Sequence, residues 1–342
     1  MTAPQNAESK ALVQPPMGFL TALKYRIHGY LFNRFAHYGL GYLYSQDKEF
    51  WAARSPTEVK YYPVRPKLQV RLFSPKKASD DENAKYPVFF LFHGGGWTIG
   101  NAQMDDEQSH LLADKYGFYV ASVEYGLGPG NRFPGPMKDC MALMKAVMAD
   151  ISLPLDLDRV VVGGFSAGAV MTLGLAQQAE LKNVIKALVA FYPLTDWTGE
   201  HRAAPTVSAW GQADTLHDNM PMFAWTYVPE GSDLRNPVLS PFFASRKDIP
   251  QPLFMITASG DFLYLEAQIM ACQLAGVDEH SEMYGSDSWE QNGVRYRRVK
   301  DMMHTFTHCF EKIKDPEWEA KRLKANEDIW QEVNDWTKKV LV

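Results

Sequence analysis

A serine stands at the centre of a Gly-x-Ser-x-Gly pattern at residues 164–168. The apolar run Val160–Gly163 precedes this pattern, and the stretch Ala167–Glu180, composed largely of good helix formers, follows it. Small residues on both sides of a serine let the chain turn sharply from strand to helix and expose the hydroxyl at the turn. The pattern alone is weak evidence, since it arises by chance about once in ten chains of this length. Its context nevertheless favours Ser166 as a nucleophile.

A second pattern, His-Gly-Gly-Gly-Trp at residues 93–97, comes directly after the apolar run Tyr86–Phe92. Successive glycines permit backbone conformations that point N–H groups at one centre, which suits a developing oxyanion. Such a loop can also cradle phosphate, but no Lys-Ser or Lys-Thr follows it and the chain has no GxGxxG fingerprint. Nucleotide binding is therefore disfavoured, and we expect His93 to anchor the loop.

Two histidines and two aspartates could complete a catalytic site around the serine. A serine hydroxyl is a weak nucleophile at neutral pH and needs an adjacent base, and an imidazole pKa of about 6.5 suits histidine for this role. His304 and His308 are four residues apart, and Asp196 and Asp261 each follow an apolar run. The histidine pair could instead hold a metal on a helix. We predict no metal, because the chain has no HExxH and no clustered carboxylates lie nearby.

The elements that must position these residues alternate between strand and helix from about residue 57. Helical spacing predicts helices over residues 137–148, 167–180 and 316–340, which indicates an α/β fold with right-handed crossovers. The stretch 195–247, rich in Trp, Pro, Gly and Met, interrupts the alternation and is predicted to be an insertion over one end of the sheet. The predicted strands, apolar enough to be buried on both faces, are Tyr86–Phe92, Tyr119–Glu124, Val160–Gly163, Ala187–Tyr192 and Leu253–Ala258.

Further segments, in order along the chain, resemble the hormone-sensitive lipase family of α/β-hydrolases, the fold-3 carboxylesterases. The resemblance covers roughly residues 85–310 and implies an α/β-hydrolase fold: a mostly parallel eight-stranded sheet flanked by helices, with a helical cap. It also implies a triad of Ser166, Asp261 and His304, in the chain order of this fold. Besides the two glycine-rich patterns, the resembling segments are Glu124–Pro129, Phe133–Pro136 with Asp139, Gly260–Leu263 with Glu266, and His304–Phe306.

Acyl-transfer chemistry gives each of these residues a role. His304 would take the proton of Ser166 and return it to the leaving group, while Asp261 would hold the imidazole tautomer and stabilise the imidazolium. No cofactor is expected. Three amides would donate hydrogen bonds to the tetrahedral oxyanion, those of Gly94, Gly95 and Ala167.

Two features depart from the family pattern. Phe165 stands where the family usually has an aspartate before the serine, which makes the surroundings of the nucleophile more apolar. The polar stretch Ser286–Lys300, between the proposed acid and base, is predicted to be a longer surface loop that could border the pocket.

The resemblance implies a cap over the catalytic end of the sheet. We expect residues 1–50 to supply a flexible tail and N-terminal cap helices, and residues 51–342 to form the catalytic domain with its cap insertion at about 195–247. An apolar, aromatic pocket fits a neutral ester or lactone. The aromatic residues predicted to contact substrate are Trp97, Phe165, Tyr192, Trp197 and Tyr264.

Composition bounds the partners. With 35 basic and 40 acidic residues, the formal charge of −5 gives no reason to expect nucleic acid as a partner. No apolar run is long enough for a signal peptide or a membrane span, and the three cysteines, Cys140, Cys272 and Cys309, suggest buried free thiols in the cytoplasm. A homodimer is compatible with this composition. The cluster at residues 105–107, Asp-Asp-Glu, is predicted to be a solvated face.

The aromatic-rich stretch Met17–Phe50 predicts one or two amphipathic helices. We favour a helix packed on the body over a helix on a membrane surface, because its polar face is not a stripe of lysine and arginine.

Three functions remain open at the level of sequence. The leading one is a serine hydrolase that cleaves carboxylic esters or lactones through an acyl-enzyme on Ser166. The same residues could serve acyl transfer or cyclisation in a natural-product pathway, because those reactions use the same triad. A non-catalytic binding protein on a hydrolase fold is the third, disfavoured because each triad position has a candidate.

Overall fold

The computed structural model describes residues 12–76, 84–214, 216–308, 310 and 312–342. Within these residues, a mixed sheet of nine strands lies at the centre, in the order β1-β2-β4-β3-β5-β6-β7-β9-β8. The strands are β1 Glu58–Tyr61, β2 Gln69–Phe73, β3 Tyr86–Phe92, β4 Tyr119–Val123, β5 Leu155–Phe165, β6 Ile185–Phe191, β7 Leu253–Ala258, β8 Ser288–Gln291 and β9 Val294–Val299.

Six strands across the middle of the sheet, in the spatial order β4-β3-β5-β6-β7-β9, pair in parallel. Among the described residues, antiparallel pairs occur only at the two edges of the sheet. The central strands are buried on both faces, which explains why their sequences are almost continuously apolar. The predicted α/β-hydrolase fold and the predicted strands are confirmed, and β3 and β7 begin and end at the predicted residues.

The sheet has nine strands where eight were expected, and two of the nine lie in the segment predicted to be a surface loop. Residues 286–300 instead form the hairpin of β8 and β9, and β9 pairs in parallel with β7 over six residue pairs. Val294 and Tyr296 are fully buried. The arginines that give the segment its polar character lie toward the surface, where Arg295 pairs with Glu332 at 2.9 Å. The loop prediction was wrong because it gave more weight to the charged residues of this segment than to the alternation of buried positions along β9.

Helices cover both faces of the sheet. Helices α4, α5 and α7 pack against one face, and α3 and α8 pack against the other. The closing helix α8 was predicted with both bounds correct, and Asp315 caps it by accepting hydrogen bonds from the amides of residues 317 and 318. The helices are α1 Phe19–Gln46, α2 Lys48–Ala53, α3 Asp106–Asp114, α4 Gly135–Met148, α5 Ala167–Ala176, α6 Leu216–Tyr227, α7 Tyr264–Ala275 and α8 Pro316–Val340.

The N-terminal segment lies near the carboxyl ends of β3 and β5, since Phe32 shares a cleft with residues 94–96 and 166. Residues 1–11 of the predicted tail lie outside the described residues, whereas Val13 bridges Asp233 and so is held by backbone pairing. The helical stretch is one 28-residue helix, α1, which contacts α6. The Phe32 ring lies 6.3 Å from that of Phe223, and the Asn33 amide donates to the Thr98 carbonyl at 2.8 Å.

Two of the three predicted thiols can be placed. Cys140 and Cys272 are buried free thiols, and burial raises the pKa of Cys272 to about 11. Cys309 lies outside the described residues. Among the described helices, none is both long enough and apolar enough to cross a membrane.

Candidate active site

Ser166 lies on a strained turn between β5 and α5. Its φ of 53° and ψ of −115° put a non-glycine residue in the positive-φ region, as expected when a strand turns sharply into a helix. The two flanking glycines are required by close packing: a Cβ on Gly168 would lie 2.0 Å from the Phe92 carbonyl oxygen, and one on Gly164 would lie 2.8 Å from the same atom. The helix can begin this close to β3 only because both residues lack a side chain.

The structure brings the three predicted triad residues together. The Ser166 Oγ lies 2.9 Å from the His304 Nε2, and the His304 Nδ1 lies 2.6 Å from the Asp261 Oδ2. Asp261 is fully buried, and its second oxygen accepts a hydrogen bond from the Leu263 amide at 2.9 Å. This fixes the carboxylate against the imidazole. Because β5, β7 and β9 are parallel, the turns that follow them meet at one edge of the sheet.

The two rival residues have other partners. The His308 Nε2 lies 3.1 Å from the Asp105 Oδ1, and its Nδ1 lies 3.3 Å from the Tyr192 hydroxyl. Asp196 accepts hydrogen bonds from the Thr198 amide at 2.8 Å and pairs with His201 at 2.9 Å. His304 and His308 therefore face different carboxylates, and Asp196 serves a turn.

The acidic cluster at residues 105–107 is not the solvated face that the sequence suggested. Asp105 is fully buried beside His308, and Asp106 is 3% exposed and bidentate with Arg71 at 2.7 and 2.5 Å. Burial raises the pKa of Asp106 to about 6 against the opposing effect of the guanidinium. The prediction was wrong because the partners of Asp105 and Asp106 come from distant parts of the chain.

The glycine-rich loop lies against the serine turn. An ideal Cβ on Gly94 would be 3.5 Å from the Ser166 Cβ, so the loop backbone passes beside the nucleophile. Gly95 adopts a φ of 104°, and a Cβ there would lie 2.1 Å from the Ile99 carbonyl oxygen, so only glycine fits. Gly94 and Gly95 thus line the same cleft as the serine, and Ala167 directly follows it in sequence.

His93 holds this loop from beneath. Its ring stacks on Tyr125 at a centroid distance of 4.2 Å, and its Nδ1 lies 2.7 Å from the Gly94 carbonyl oxygen. The Tyr125 hydroxyl donates to the His93 carbonyl at 2.8 Å. Complete burial lowers the pKa of His93, so the neutral ring is favoured at this position. The arrangement agrees with an anchoring role.

A cleft of about 210 Å³ opens above Ser166 and His304. Its walls are mainly apolar and come from α1, the glycine-rich loop, α6 and the segment around His304. Helix α1 contributes Phe32 and α6 contributes Phe223. The other large apolar residues of the wall are Ile99, Met104, Phe165, Leu216, Met303 and Phe310.

Of the five aromatic residues predicted to contact substrate, Phe165 alone is among the residues that line this cleft. Trp97 stacks on Tyr227, the last residue of α6, at 3.9 Å beside Trp197, and both tryptophans are buried. Tyr192 packs edge-on against His304 and is 1% exposed. Tyr264 lies at the start of α7 under the Arg298 guanidinium. For these four, the structure shows packing rather than cleft contact.

Sequence reasoning missed Asp214, which lines the cleft from the insertion. Its carboxylate accepts hydrogen bonds from the Leu216 amide at 3.0 Å and from the Phe262 amide at 3.2 Å, which ties α6 to the turn after β7. Burial, followed by the charge of nearby Asp261, raises its pKa. An aspartate just before an apolar helical stretch is a helix-start signal, and this could have indicated α6 but not its position at the cleft.

Glu266 fixes the insertion to α7. It is fully buried and accepts hydrogen bonds from the amides of Thr195 and Asp196 at 2.5 and 3.0 Å, with Arg202 at 3.1 Å. Burial raises its pKa to about 7. The start of the insertion is therefore held by a buried carboxylate rather than by apolar packing alone.

Comparison with known proteins supplies a family. A family model described as the alpha/beta hydrolase fold matches residues 89–308. The arylesterase of Saccharolobus solfataricus is 28% identical over 214 residues, which are 60% of this chain and 66% of that protein. The acetyl esterase of Salmonella paratyphi B is 25% identical over 281 residues, or 78% of each chain. The chain thus spans just under two thirds of the first relative's length.

Solved structures agree on the architecture. An esterase of Pyrobaculum calidifontis superposes with a TM-score of 0.67 at 21% identity, over 95% of this chain and 99% of that one. EstE1, a thermostable carboxylesterase cloned from a metagenomic library, superposes with a TM-score of 0.60 at 25% identity, over 84% and 95% of the two chains. At 21% identity, the likeness to the Pyrobaculum calidifontis esterase supports the fold alone.

The matched segment and the site geometry refer to the same part of the molecule. Residues 89–308 begin within β3, just before the glycine-rich loop, and end after His304. The segment contains the serine turn and the turn that follows β7. The chain therefore belongs to the α/β-hydrolase fold-3 family, the branch of the α/β-hydrolases that resembles hormone-sensitive lipase.

Proposed function

We propose that the protein hydrolyses carboxylic esters through an acyl-enzyme on Ser166. The observation that carries this proposal is the continuous hydrogen-bonded path from the Ser166 Oγ through His304 to buried Asp261, at the floor of an apolar cleft. The names of the arylesterase and acetyl esterase relatives support the same class of substrate.

In the first step the Ser166 Oγ attacks the carbonyl carbon of the ester while the His304 Nε2 accepts the hydroxyl proton. The tetrahedral intermediate then collapses, the ester C–O bond breaks, and His304 returns the proton to the leaving alcohol. Asp261 accepts the Nδ1–H of His304 and stabilises the imidazolium in between. In the second half, water attacks the acyl carbon and passes a proton to His304. The bond between the acyl carbon and the Ser166 Oγ then breaks, His304 returns the proton to the Oγ, and the carboxylic acid leaves.

The oxyanion forms beside the glycine-rich loop. We assign the amides of Gly94, Gly95 and Ala167 as its donors, because the loop backbone passes next to the Ser166 Cβ. Each such donor lowers the barrier by about 3 kcal/mol.

The cleft favours small neutral substrates. Its volume of about 210 Å³ and its apolar wall suit a short acyl chain or a small aromatic group. Asp214 lines the cleft, and the charge of nearby buried Asp261 acts on it, so the two carboxyl groups disfavour an anionic ester. Small lactones present the same neutral carbonyl and belong to the proposed class.

The test is labelling by a fluorophosphonate, followed by intact-mass measurement. The wild-type chain should gain one adduct, and Ser166→Ala should gain none and lose at least about 10⁴-fold in kcat/KM for a short p-nitrophenyl ester. Ser281→Ala, at an exposed serine, is the matched control and should label like the wild type. Equal labelling of Ser166→Ala would overturn the assignment of the nucleophile.

Hydrolysis and acyl transfer are separated by the fate of the acyl group. The assay is repeated with an added alcohol or amine, and the products are quantified. Hydrolysis predicts the free acid as the main product at every nucleophile concentration tested. Preferential formation of a new ester or amide at low nucleophile concentration would reassign the protein as an acyltransferase. Absence of both labelling and turnover would favour a binding protein.

A further inference from the structure

Helix α1 exposes large apolar side chains over most of its length. Phe19, Leu20 and Phe35 are each 78% exposed, and Tyr38 and Tyr42 are 70% and 67% exposed. A folded domain rarely leaves so many such residues on one continuous surface unless that surface binds something. The exposed set on this helix is Phe19, Leu20, Leu23, Ile27, Tyr30, Leu31, Phe35, Tyr38 and Tyr42.

The apolar residues point away from the protein. Gly29, Phe32 and Asn33 form the side that packs on the body. On a helix of 3.6 residues per turn, residues spaced by seven and four share one face. One such set lies opposite Gly29, and we call it the outer stripe: Leu20, Ile27, Leu31, Tyr38 and Tyr42.

The charges on α1 are of one sign. Lys24 and Arg34 are exposed at the two edges of the outer stripe, and Arg26 is exposed nearer the side of Asn33. The sequence has no Asp or Glu from residue 9 to residue 46, although the whole chain carries a formal charge of −5. Lys24 and Arg34 thus flank the apolar stripe, and the three basic residues do not form a separate stripe of their own. This explains why the sequence pattern alone disfavoured a surface helix.

We propose that the outer stripe of α1 docks the protein on an anionic lipid surface. Apolar side chains that enter the boundary between headgroups and acyl chains, with lysine and arginine at their edges, are the chemistry of an interfacial helix. Pairing with a second copy of α1 is disfavoured, because two helices that each carry three cations and no anion repel each other.

A groove beside the stripe fits the same occupant. It has a volume of about 500 Å³ and lies between α1 and the turn at residues 128–129. Leu23 and Ile27 form part of its apolar wall, and Arg26 lies in the same wall. An acyl chain with an anionic group at one end matches this combination. The proposal is independent of ester hydrolysis, because none of these residues contacts the triad.

The experiment is vesicle co-sedimentation of the full chain. One set of vesicles contains phosphatidylcholine alone, and a second set contains phosphatidylcholine mixed with phosphatidylglycerol. We expect binding to the mixed vesicles at low salt, with affinity falling about 10-fold or more for the triple variant Lys24→Gln, Arg26→Gln and Arg34→Gln. High salt should weaken wild-type binding in the same direction.

A second variant tests the apolar contribution. Leu31→Glu with Tyr38→Glu should abolish sedimentation, while the control Ile151→Glu with Leu157→Glu, at exposed apolar residues outside α1, should bind like the wild type. Circular dichroism and turnover of a soluble ester check that both variants fold. Equal binding by the two variants, or no binding by the wild type, would overturn the proposal. A wild-type dimer that Leu31→Glu with Tyr38→Glu dissociates, without vesicle binding, would instead assign the stripe to a second copy.

Discussion

The catalytic end of the sheet and helix α1 lie side by side, but different forces fix their sequences. At the serine turn, a Cβ on Gly168 would lie 2.0 Å from the Phe92 carbonyl oxygen, so packing on every side dictates the residue. On α1, Gly39 and Gly41 have no other atoms within 4 Å of an added Cβ, and apolar side chains face outward. Internal packing therefore restricts the residues of the serine turn on every side. On α1 it restricts only the side that faces the body of the protein.

This contrast predicts how each region responds to substitution. In the first region small changes should remove activity or folding. In the second, changes should alter what the protein binds and leave the sheet intact. The four predictions below test this difference, from the largest expected effect to the smallest.

The largest effect should come from substituting a proposed triad residue, compared with substituting the rival residue of the same type. His304→Ala should lower kcat by about 10⁴-fold, because the serine loses its base. His308→Ala removes a buried ring bonded to Asp105, so it should cost about 1–3 kcal/mol of unfolding free energy and far less activity. Steady-state kinetics and thermal unfolding measure the two effects.

The same comparison applies to the acids. Asp261→Asn should lower kcat far more than Asp196→Asn, since Asp196 bonds within a turn. Proteins that remain folded but show the reverse ranking, for either pair, would mean that the corresponding triad member is misplaced.

The first region was also the easier one to predict from sequence. Strands such as β3 and β7 were predicted to the residue, because a strand buried on both faces has an unbroken apolar sequence bounded by turn residues. The serine turn and the glycine-rich loop have distinctive sequences for the same steric reason. The chain order of Ser166, Asp261 and His304 was also predicted, but the strand that precedes His304, β9, was not.

The failures share a cause. In the hairpin at residues 286–300, Arg295 pairs with Glu332 of α8, and buried Asp105 pairs with His308, so in both places a charged residue has a partner remote in sequence. A local sequence pattern predicts that such charges are solvated, because it cannot show a partner as distant as His308 is from Asp105, 203 residues along the chain. The predictions for four aromatic residues were wrong for a similar reason. Trp97 directly follows the glycine-rich loop in sequence, but its ring stacks on Tyr227 and does not line the cleft.

The second prediction tests packing at the serine turn. Gly168→Ala should destabilise the protein by roughly 3 kcal/mol or move α5 away from β3, because the added methyl group overlaps the backbone at Phe92. Chemical denaturation and ester turnover would both report the change. Wild-type stability together with wild-type turnover would show that the turn is looser than its geometry indicates.

The third prediction concerns the one aromatic residue that α1 contributes to the cleft. Phe32→Ala should raise KM for short acyl esters by about 10-fold, as the cleft loses part of its apolar wall, and should affect longer chains less. Phe35→Ala is the matched control, since Phe35 is on the same helix but 78% exposed. Equal KM changes for the two variants would argue that α1 does not bound the acyl site.

The smallest effect, and the sharpest contrast with Gly168, is expected at Gly29. This glycine is in the middle of α1 and is buried, but a Cβ there would lie 3.6 Å from the Thr226 Cγ2 and 3.8 Å from the Met222 Sδ, which are ordinary contacts. Gly29→Ala should therefore stabilise α1 by about 1 kcal/mol, the difference in helix propensity between the two residues. Hydrogen exchange should slow in α1 by about 5-fold and stay unchanged in β5 and β7, because the helix opens separately from the sheet. Faster exchange in α1 would mean that the helix packs on α6 more tightly than its contacts indicate, and equal slowing in the sheet would mean that the two regions unfold as one unit.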